Sequence, residues 1–154
     1  DIHLKGEEYL TFEVQPFLRV ELDDTPMISD GVITARVKVD RGVSKDDFKK
    51  VVAQTGDYSD SYLNMTDIQL FVSYSSSCGY RARDERWSNE ILYSGKAFET
   101  QFGKTITITS NPKNPIPSGR KVFIRAAARI NYDTPAGSGT RRWNYSEVVE
   151  VDIP

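Results

Sequence analysis

Nine residues near the C-terminus read Val122-Phe123-Ile124-Arg125-Ala126-Ala127-Ala128-Arg129-Ile130. Apolar side chains recur at every second position from Val122 to Ile130. Successive side chains of a β-strand point to opposite faces, so this period of two predicts a strand with one face in a core. The other face would carry two guanidinium groups, at Arg125 and Arg129.

The same alternation recurs along the chain and predicts an all-β protein. In the last run the parity slips near Ser146 and Glu147, which predicts a β-bulge. Residues 131–140 contain Pro and Gly and predict a hairpin loop between the last two strands. The other predicted strands cover 10–14 with 18–22 as one broken extended segment, 31–39, 68–74, a less regular 90–102, 105–109 and 143–153.

One segment shows helical spacing instead. Ser44 opens a capping-box-like start, and Phe48, Val51 and Val52 follow at the spacing of one helix face. We expect a short helix near residues 44–54 that packs on the strands or covers one end of them, because about three turns are marginal alone. Short strands without alternating helices predict two antiparallel sheets packed as an immunoglobulin-like or fibronectin type III-like sandwich.

Composition narrows the function. The chain has 154 residues, so one domain, or one domain with an attached segment, is expected. With 20 Lys and Arg against 22 Asp and Glu, nucleic acid is not an expected partner. One Cys and one His argue against zinc ribbons and disulfide scaffolds, and no cofactor is expected. No second Cys is present that could form a disulfide with Cys78, so Cys78 is expected to be a small packing residue.

The chain starts at Asp1 without a signal-peptide pattern, so we expect that an upstream segment was removed.

Two resemblances cover much of the chain. Residues 117–128 resemble the passage of a fibronectin type III domain into its sixth strand, although Val122 stands where that family has its corner tyrosine. The second resemblance is carried, in order and spacing, by residues 12–20, 31–39, 68–72, 123–129 and 143–149. Together these runs resemble the C-terminal domain of a family of uncharacterised Bacteroidetes lipoproteins, usually encoded beside SusC/SusD-type glycan-uptake pairs.

The lipoprotein resemblance implies a location and a domain organisation, but no demonstrated activity. It implies a precursor anchored by lipid at the cell surface, so that membrane contact occurs only through the anchor. It also implies an upstream β-sandwich domain. Residues 1–16 would then be a linker or interface to that domain, and residues 17–154 the β-sandwich itself.

Two groups of side chains could bind a glycan, which needs flat aromatic faces and planar hydrogen-bonding groups. The first lies in a loop between strands, and the second on the last strand. The alternative for the loop is a solvated segment whose charges pair with one another and whose Trp lies against the sandwich edge. The alternative for the second group is core or edge packing. The candidate residues are Tyr80, Arg83, Arg86 and Trp87 in the loop, and Trp143 and Tyr145 on the strand.

Catalysis and metal binding are not expected. A glycosidase needs two carboxylates across a cleft, whereas Asp84 and Glu85 are adjacent and their side chains diverge. Calcium donors could come from residues 57–60 or 23–24, but both lack the Glu and Gly of a recognised loop and are expected to be solvated turns. We also expect Arg125 and Arg129 to form cross-strand pairs with acidic residues at 150 and 152.

The sequence therefore favours a non-enzymatic β-sandwich module of a surface lipoprotein that assists glycan capture beside an outer-membrane uptake complex. Its expected partners are a glycan and SusC/SusD-type proteins. The alternative is a structural or protein-interaction spacer with no ligand site of its own.

Overall fold

Two antiparallel sheets pack face to face in the computed structural model, which describes residues 16–54, 56–132 and 143–154. The all-β sandwich with one short helix is confirmed. The predicted strand at 10–14 and most of the predicted loop at 131–140 lie outside the described residues. The elements are β1 (Leu18–Leu22), β2 (Met27–Ser29), β3 (Val32–Arg41), α1 (Lys45–Ala53), β4 (Met65–Ser73), β5 (Asn89–Leu92), β6 (Thr105–Thr109), β7 (Lys121–Ile130), β8 (Asn144–Tyr145) and β9 (Val149–Asp152), with 3-10 turns at Asp60–Leu63 and Glu99–Gln101.

The first sheet is built on β3. Strand β1 pairs with residues 37–41 of β3, β2 pairs with residues 32–34, and β6 pairs with residues 34–38. Asp30 and Gly31 connect β2 to β3 with φ angles of 50° and 77°. Positive φ at both central residues is what a tight hairpin turn of this hand requires, and Asp-Gly suits it. The structure therefore places Gly31 in the turn, one residue before the strand.

The second sheet is built on β7, which pairs with β4, β8 and β9, while β5 pairs with β4. The register of β7 shifts by one residue between β8 and β9, which confirms the predicted bulge. At this point the Ala126 N–H donates to Ser146 Oγ at 3.0 Å, and the Ser146 N–H donates to the Ala126 carbonyl at 2.9 Å. The Ser146 hydroxyl thus takes the place of a backbone carbonyl as the acceptor for the Ala126 N–H, so this N–H remains hydrogen-bonded at the bulge.

The predicted pairing of Arg125 and Arg129 with Glu150 and Asp152 is wrong. The bulge sets the register so that Glu150 lies opposite Phe123 and Asp152 lies opposite Lys121. Glu150 accepts instead from Lys121 at 2.8 Å. Both arginines find other partners, described below.

Alternating apolar side chains of both sheets form one core, and α1 closes one end of it. Ser44 caps α1 by accepting from the Asp47 N–H at 3.1 Å, so the predicted helix is confirmed. Phe48 of α1 is fully buried and packs edge-on against Phe17 and Tyr132, with centroids 5.3 Å away in each case. No helix in the described ranges is long and apolar enough to cross a membrane.

The predicted extended region 90–102 is only partly a strand. Strand β5 ends at Leu92, and the chain then turns through Gly95, whose φ is 57°. Phe98 is 1% exposed in the core and packs edge-on against Phe102 at 5.4 Å, and the 3-10 turn lies between the two rings. The positive φ at Gly95 is incompatible with continued strand geometry, which explains the early end.

Candidate functional site

Strands β4, β7 and β8 carry a second group of apolar and charged side chains on the face that points away from the core. The period of two that buries Leu70, Val72 and Ala126 inside the sandwich puts their neighbours on this outer face. The loop between β4 and β5 contributes further residues to it. We call this group the aromatic–arginine cluster; its members are Phe71, Tyr80, Arg83, Arg125, Arg129, Trp143 and Tyr145.

Phe71 is the buried centre of the cluster. Its ring centroid lies 5.6 Å from that of Trp143, 6.2 Å from that of Tyr80 and 6.3 Å from that of Tyr145. Tyr80 and Trp143 also contact each other, with centroids 5.8 Å apart and planes inclined by 31°. Edge-on and tilted pairs at these distances are the arrangements that aromatic rings prefer. The fold therefore joins Tyr80 of the loop to Trp143 and Tyr145 of the strand in one surface.

A guanidinium group covers each of the three outer rings. Arg83 lies 4.2 Å from the Tyr80 centroid, and Arg125 lies 4.4 Å from the Tyr145 centroid. Arg129 lies 3.9 Å from the Trp143 centroid. Cations within about 6 Å of an aromatic face are attracted by its negative charge distribution. Each ring is thereby held in one orientation by a partner that also carries hydrogen-bond donors.

A buried ion pair fixes Arg129. Its Nε donates to Asp67 Oδ1 at 2.9 Å, and the Asp67 side chain is 2% exposed. Thr66 Oγ1 donates to the same oxygen at 2.6 Å, and Gln69 Nε2 donates to Asp67 Oδ2 at 2.8 Å. A carboxylate with this many donors is compensated for its loss of water. Asp67 therefore holds Arg129 in place, and Arg129 in turn contacts the indole of Trp143.

Arg125 and Tyr145 attach the β4–β5 loop to the sheet. Arg125 Nε donates to the Ser146 carbonyl at 2.7 Å, and Nη1 donates to the Cys78 carbonyl at 3.3 Å. The Tyr80 N–H donates to the Tyr145 hydroxyl at 3.2 Å. A Cβ atom at Gly79 would lie 3.5 Å from the Tyr145 ring, so the loop backbone passes directly over this tyrosine.

The cluster remains partly open to solvent. Tyr80 is 45% exposed and Tyr145 is 37% exposed, while Trp143 is half-buried. Aromatic faces next to guanidinium donors are the combination that sugar recognition requires. The outer face of the second sheet can therefore receive a flat ligand with apolar C–H groups and hydroxyls.

Trp87 does not belong to this surface. It is 3% exposed, packs edge-on against Tyr74 at 5.2 Å and lies in the main core. Its expected role as an open platform is therefore wrong, because the loop turns its ring inward at the sandwich edge. Arg86 lies 4.6 Å above the Trp87 ring and pairs with Asp84, so it too is directed away from the cluster.

The loop carboxylates are occupied by arginines. Asp84 accepts from Arg86 Nε at 3.0 Å and from Nη2 at 2.8 Å, and Glu85 accepts from Arg83 at 2.9 Å. Hydrogen bonds from Arg86 hold the pKa of Asp84 below its usual range. A general acid needs the opposite shift, so this carboxylate is poorly suited to donate a proton.

Cys78 lies beneath the cluster rather than on it. It is fully buried, and Sγ donates to the Phe71 carbonyl at 3.4 Å. Burial raises the pKa of the Cys78 thiol to about 11. The thiolate that nucleophilic or redox chemistry requires is therefore disfavoured.

The acidic turns have local partners. Asp23 accepts from Thr25 and pairs with Arg36 at 2.8 Å, and Asp60 pairs with Lys45 at 3.2 Å. Within residues 16–54, 56–132 and 143–154, no three His, Cys, Asp or Glu side chains are grouped so as to hold a metal ion.

Sequence reasoning missed Phe71, Arg125 and Arg129 as site residues. Phe71 stands in the predicted strand 68–74 at a position of opposite parity to its core residues. An apolar residue on the polar face of a strand is the signal that could have revealed a second cluster.

Comparison with known proteins finds relatives among solved structures. No family model and no curated protein matches the chain. A DUF3823 family protein from Bacteroides uniformis is 63% identical, with a TM-score of 0.85 over 91% of this chain and 57% of that chain. Another Bacteroides uniformis structure, described as a "putative carbohydrate binding protein", is 16% identical, with a TM-score of 0.57 over 90% of this chain and 58% of that one.

A DUF3823 family protein from Bacteroides ovatus is 13% identical, with a TM-score of 0.55 over 91% of this chain and 57% of that chain. The last two similarities concern the fold alone. The chain thus spans somewhat more than half the length of each of these three proteins.

Proposed function

We propose that the chain is a member of the DUF3823 family and acts as a non-enzymatic β-sandwich module that binds glycans through the aromatic–arginine cluster. The observation that carries this proposal is the joining of Tyr80, Trp143 and Tyr145 into one partly exposed surface, each ring backed by an arginine. The high identity to a DUF3823 protein supports the family assignment. The fold shared with a protein described as carbohydrate binding adds support for the ligand class.

The rigidity of the cluster supports direct binding. Binding costs less when the contact side chains are already ordered. Arg125 and Arg129 are each held by hydrogen bonds to the sheet or its bulge, and they in turn hold Tyr145 and Trp143. The ring faces are thus arranged before any ligand arrives.

The state of the acidic groups supports a non-enzymatic role. Asp67 and Glu85 form ion pairs with two arginines of the cluster, Arg129 and Arg83, whereas Asp84 pairs with Arg86 outside it. Two carboxylates acting on a glycosidic bond need free access to it from a cleft. Each of these carboxylates is instead paired with an arginine.

The location and partners are part of the proposal. We place the module on a lipoprotein anchored at the cell surface, beside a SusC/SusD-type uptake pair, because the chain resembles lipoproteins encoded at such positions. Metabolic labelling of the native full-length protein with a palmitate analogue tests the anchor. Co-purification with SusC/SusD-type proteins from detergent-solubilised membranes tests the partnership. Absence of label, or of both proteins from the eluate, would contradict the corresponding part.

A glycan array is the first test of binding. The 154-residue chain should bind a subset of plant, mucin or host glycans, and Trp143→Ala should weaken that binding because it removes a ring of the cluster. Arg129→Gln offers a second variant that keeps the ring but removes the cation above it. No glycan bound at millimolar concentration would overturn direct binding.

A spacer or protein-interaction module is the second candidate. It is favoured by the high exposure of Met27 at 72% and Leu92 at 69%, which lie on β2 and β5. Apolar side chains on short strands are suited to contact another protein. Under this alternative, Met27→Ser and Leu92→Ser weaken association with partner proteins, whereas variants of the cluster do not.

A further inference from the structure

We infer that a cavity next to α1 is a second binding site, which receives the carboxylate of an acidic sugar. The cavity has a volume of about 350 Å³ and lies between the end of β3, the start of α1 and the segment after β5. Its lining includes Arg41, Lys45, Asp60, Asn64, Lys96 and Phe98. None of these residues belongs to the aromatic–arginine cluster, so the inference does not depend on the proposed function.

Arg41 is the residue on which this inference rests. Its guanidinium lies 4.4 Å from the Phe102 centroid and 5.6 Å from the Phe98 centroid, and the side chain is half-buried. Nη1 is buried and has no hydrogen-bond partner within the described ranges. No ion pair joins Arg41 to a carboxylate in that part of the chain.

An arginine in this state lacks the compensation that buried charges normally have. Buried cations are usually paired, because removing them from water is costly. Burial lowers the pKa of Arg41 from its ordinary value, in keeping with this cost. Tyr58 and Glu99 oppose that shift, and Glu99 also lines the cavity, but it forms no ion pair with Arg41 in the described residues. An anion entering the cavity would supply the missing partner.

The chemistry of a guanidinium favours a carboxylate as that partner. Its N–H groups form a planar fork that can donate two parallel hydrogen bonds to both oxygens of one carboxylate. Arg41 lines the cavity, and its Nη1 is the nitrogen that lacks a partner. Stacking on Phe102 and Phe98 keeps the fork in place.

The rest of the cavity suits a sugar ring attached to that carboxylate. The volume lies at the lower end of the range for small-molecule sites, about 300 to 1,000 Å³, and exceeds what a simple anion needs. Asn64 supplies an amide, the Lys45–Asp60 pair at 3.2 Å supplies charged hydrogen-bonding groups, and Phe98 supplies an apolar wall. Lys96 adds a third cation to the lining, besides Arg41 and Lys45. These groups match the hydroxyls and C–H face of a uronic acid.

Glucuronate and glucose are the matched probes for this site, because they differ only in the carboxylate. In a titration of ¹⁵N-labelled protein followed by NMR, glucuronate should produce saturable shifts in the Arg41 Nε–H and Lys45 amide signals. Glucose and acetate should not do so at the same millimolar concentrations. No saturable shift with glucuronate, or equal shifts with glucose or acetate, would overturn the inference, and this comparison requires no variant.

Arg41→Gln tests the role of the guanidinium. It should weaken glucuronate binding by about tenfold or more, since a charge-assisted bidentate contact is lost. Arg19→Gln, the same change at an exposed arginine of β1, should leave the affinity unchanged. Unchanged glucuronate affinity in a folded Arg41→Gln variant would contradict the assignment.

Discussion

The guanidinium of Arg129 lies 3.9 Å from the ring centroid of Trp143. The same side chain reaches in the other direction to Asp67, directly opposite it on β4. Arg129 therefore links a buried carboxylate to a half-buried indole at the surface. The position of the aromatic ring depends on an ion pair that the strand register creates.

Asp67→Ala should destabilise the fold strongly. It leaves Arg129 with no carboxylate partner while its side chain is only 23% exposed, and breaking such a pair costs about 3 to 5 kcal/mol. The free energy of unfolding in urea measures the loss. Glu150→Ala removes a carboxylate from the exposed pair with Lys121 on the same sheet and should cause little change. Equal losses in the two variants would show that the Asp67 pair is not special.

Ser146→Ala should weaken the bulge between β8 and β9. The buried hydroxyl accepts from the Ala126 N–H and donates to the Glu147 carbonyl at 2.8 Å. Without it a buried strand N–H has no acceptor, which costs about 1 to 3 kcal/mol. Thermal unfolding measures the change. Ser118→Ala, at an exposed serine, is the control; a Ser146 variant as stable as this control would contradict the role given to the hydroxyl.

Cys78 should be unreactive in the folded protein. A thiol pKa of about 11, raised by burial, leaves roughly one thiolate in a thousand at pH 8. A disulfide reagent should therefore react only after denaturant is added. Because ionisation is harder in the folded state than in the unfolded one, Cys78 should also lower stability as the pH rises from 9 towards 11. Rapid labelling of the native protein at pH 8 would show that the site opens.

Trp87→Ala should lower the stability of the fold and should not change ligand binding. The ring is 3% exposed in the core, and replacing such a residue costs about 3 to 5 kcal/mol. Trp143→Ala removes the same ring from a half-buried position and should cost less. Urea unfolding of both variants checks the order. A smaller loss for Trp87 would mean that its ring is more accessible than the structure shows.

The sequence predicted the sandwich because burial on one face of a strand leaves a period of two. The helix at residues 45–53 could also be predicted, because its N-cap Ser44 and the helical spacing of Phe48 and Val52 are local features of the sequence. The bulge at Ser146 followed from a slip in parity. The strand predicted through Phe102 failed because Gly95 turns the chain there, and a glycine can continue or end a strand.

The site was less predictable because strand pairing brings together residues that are far apart in the sequence. Tyr80 and Trp143 are far apart in sequence, and their contact depends on how the β4–β5 loop folds over β7 and β8. Trp87 and Tyr80 share one loop, yet one is buried and the other exposed. Both residues are aromatic and lie in the same loop, so the sequence does not show which ring is exposed. Tertiary packing buries Trp87 and leaves Tyr80 45% exposed.

Tyr80 and Tyr74 offer a matched pair for the central claim, that the aromatic–arginine cluster binds glycans. They are 45% and 47% exposed and lie in or beside the same loop, but Tyr80 stacks with Trp143 whereas Tyr74 contacts Trp87. Calorimetric titration of each alanine variant with a glycan that binds the unaltered chain measures the difference. Tyr80→Ala should weaken binding by about threefold to tenfold, the value of one aromatic contact, and Tyr74→Ala should not. Equal affinities for the two variants would contradict the claim.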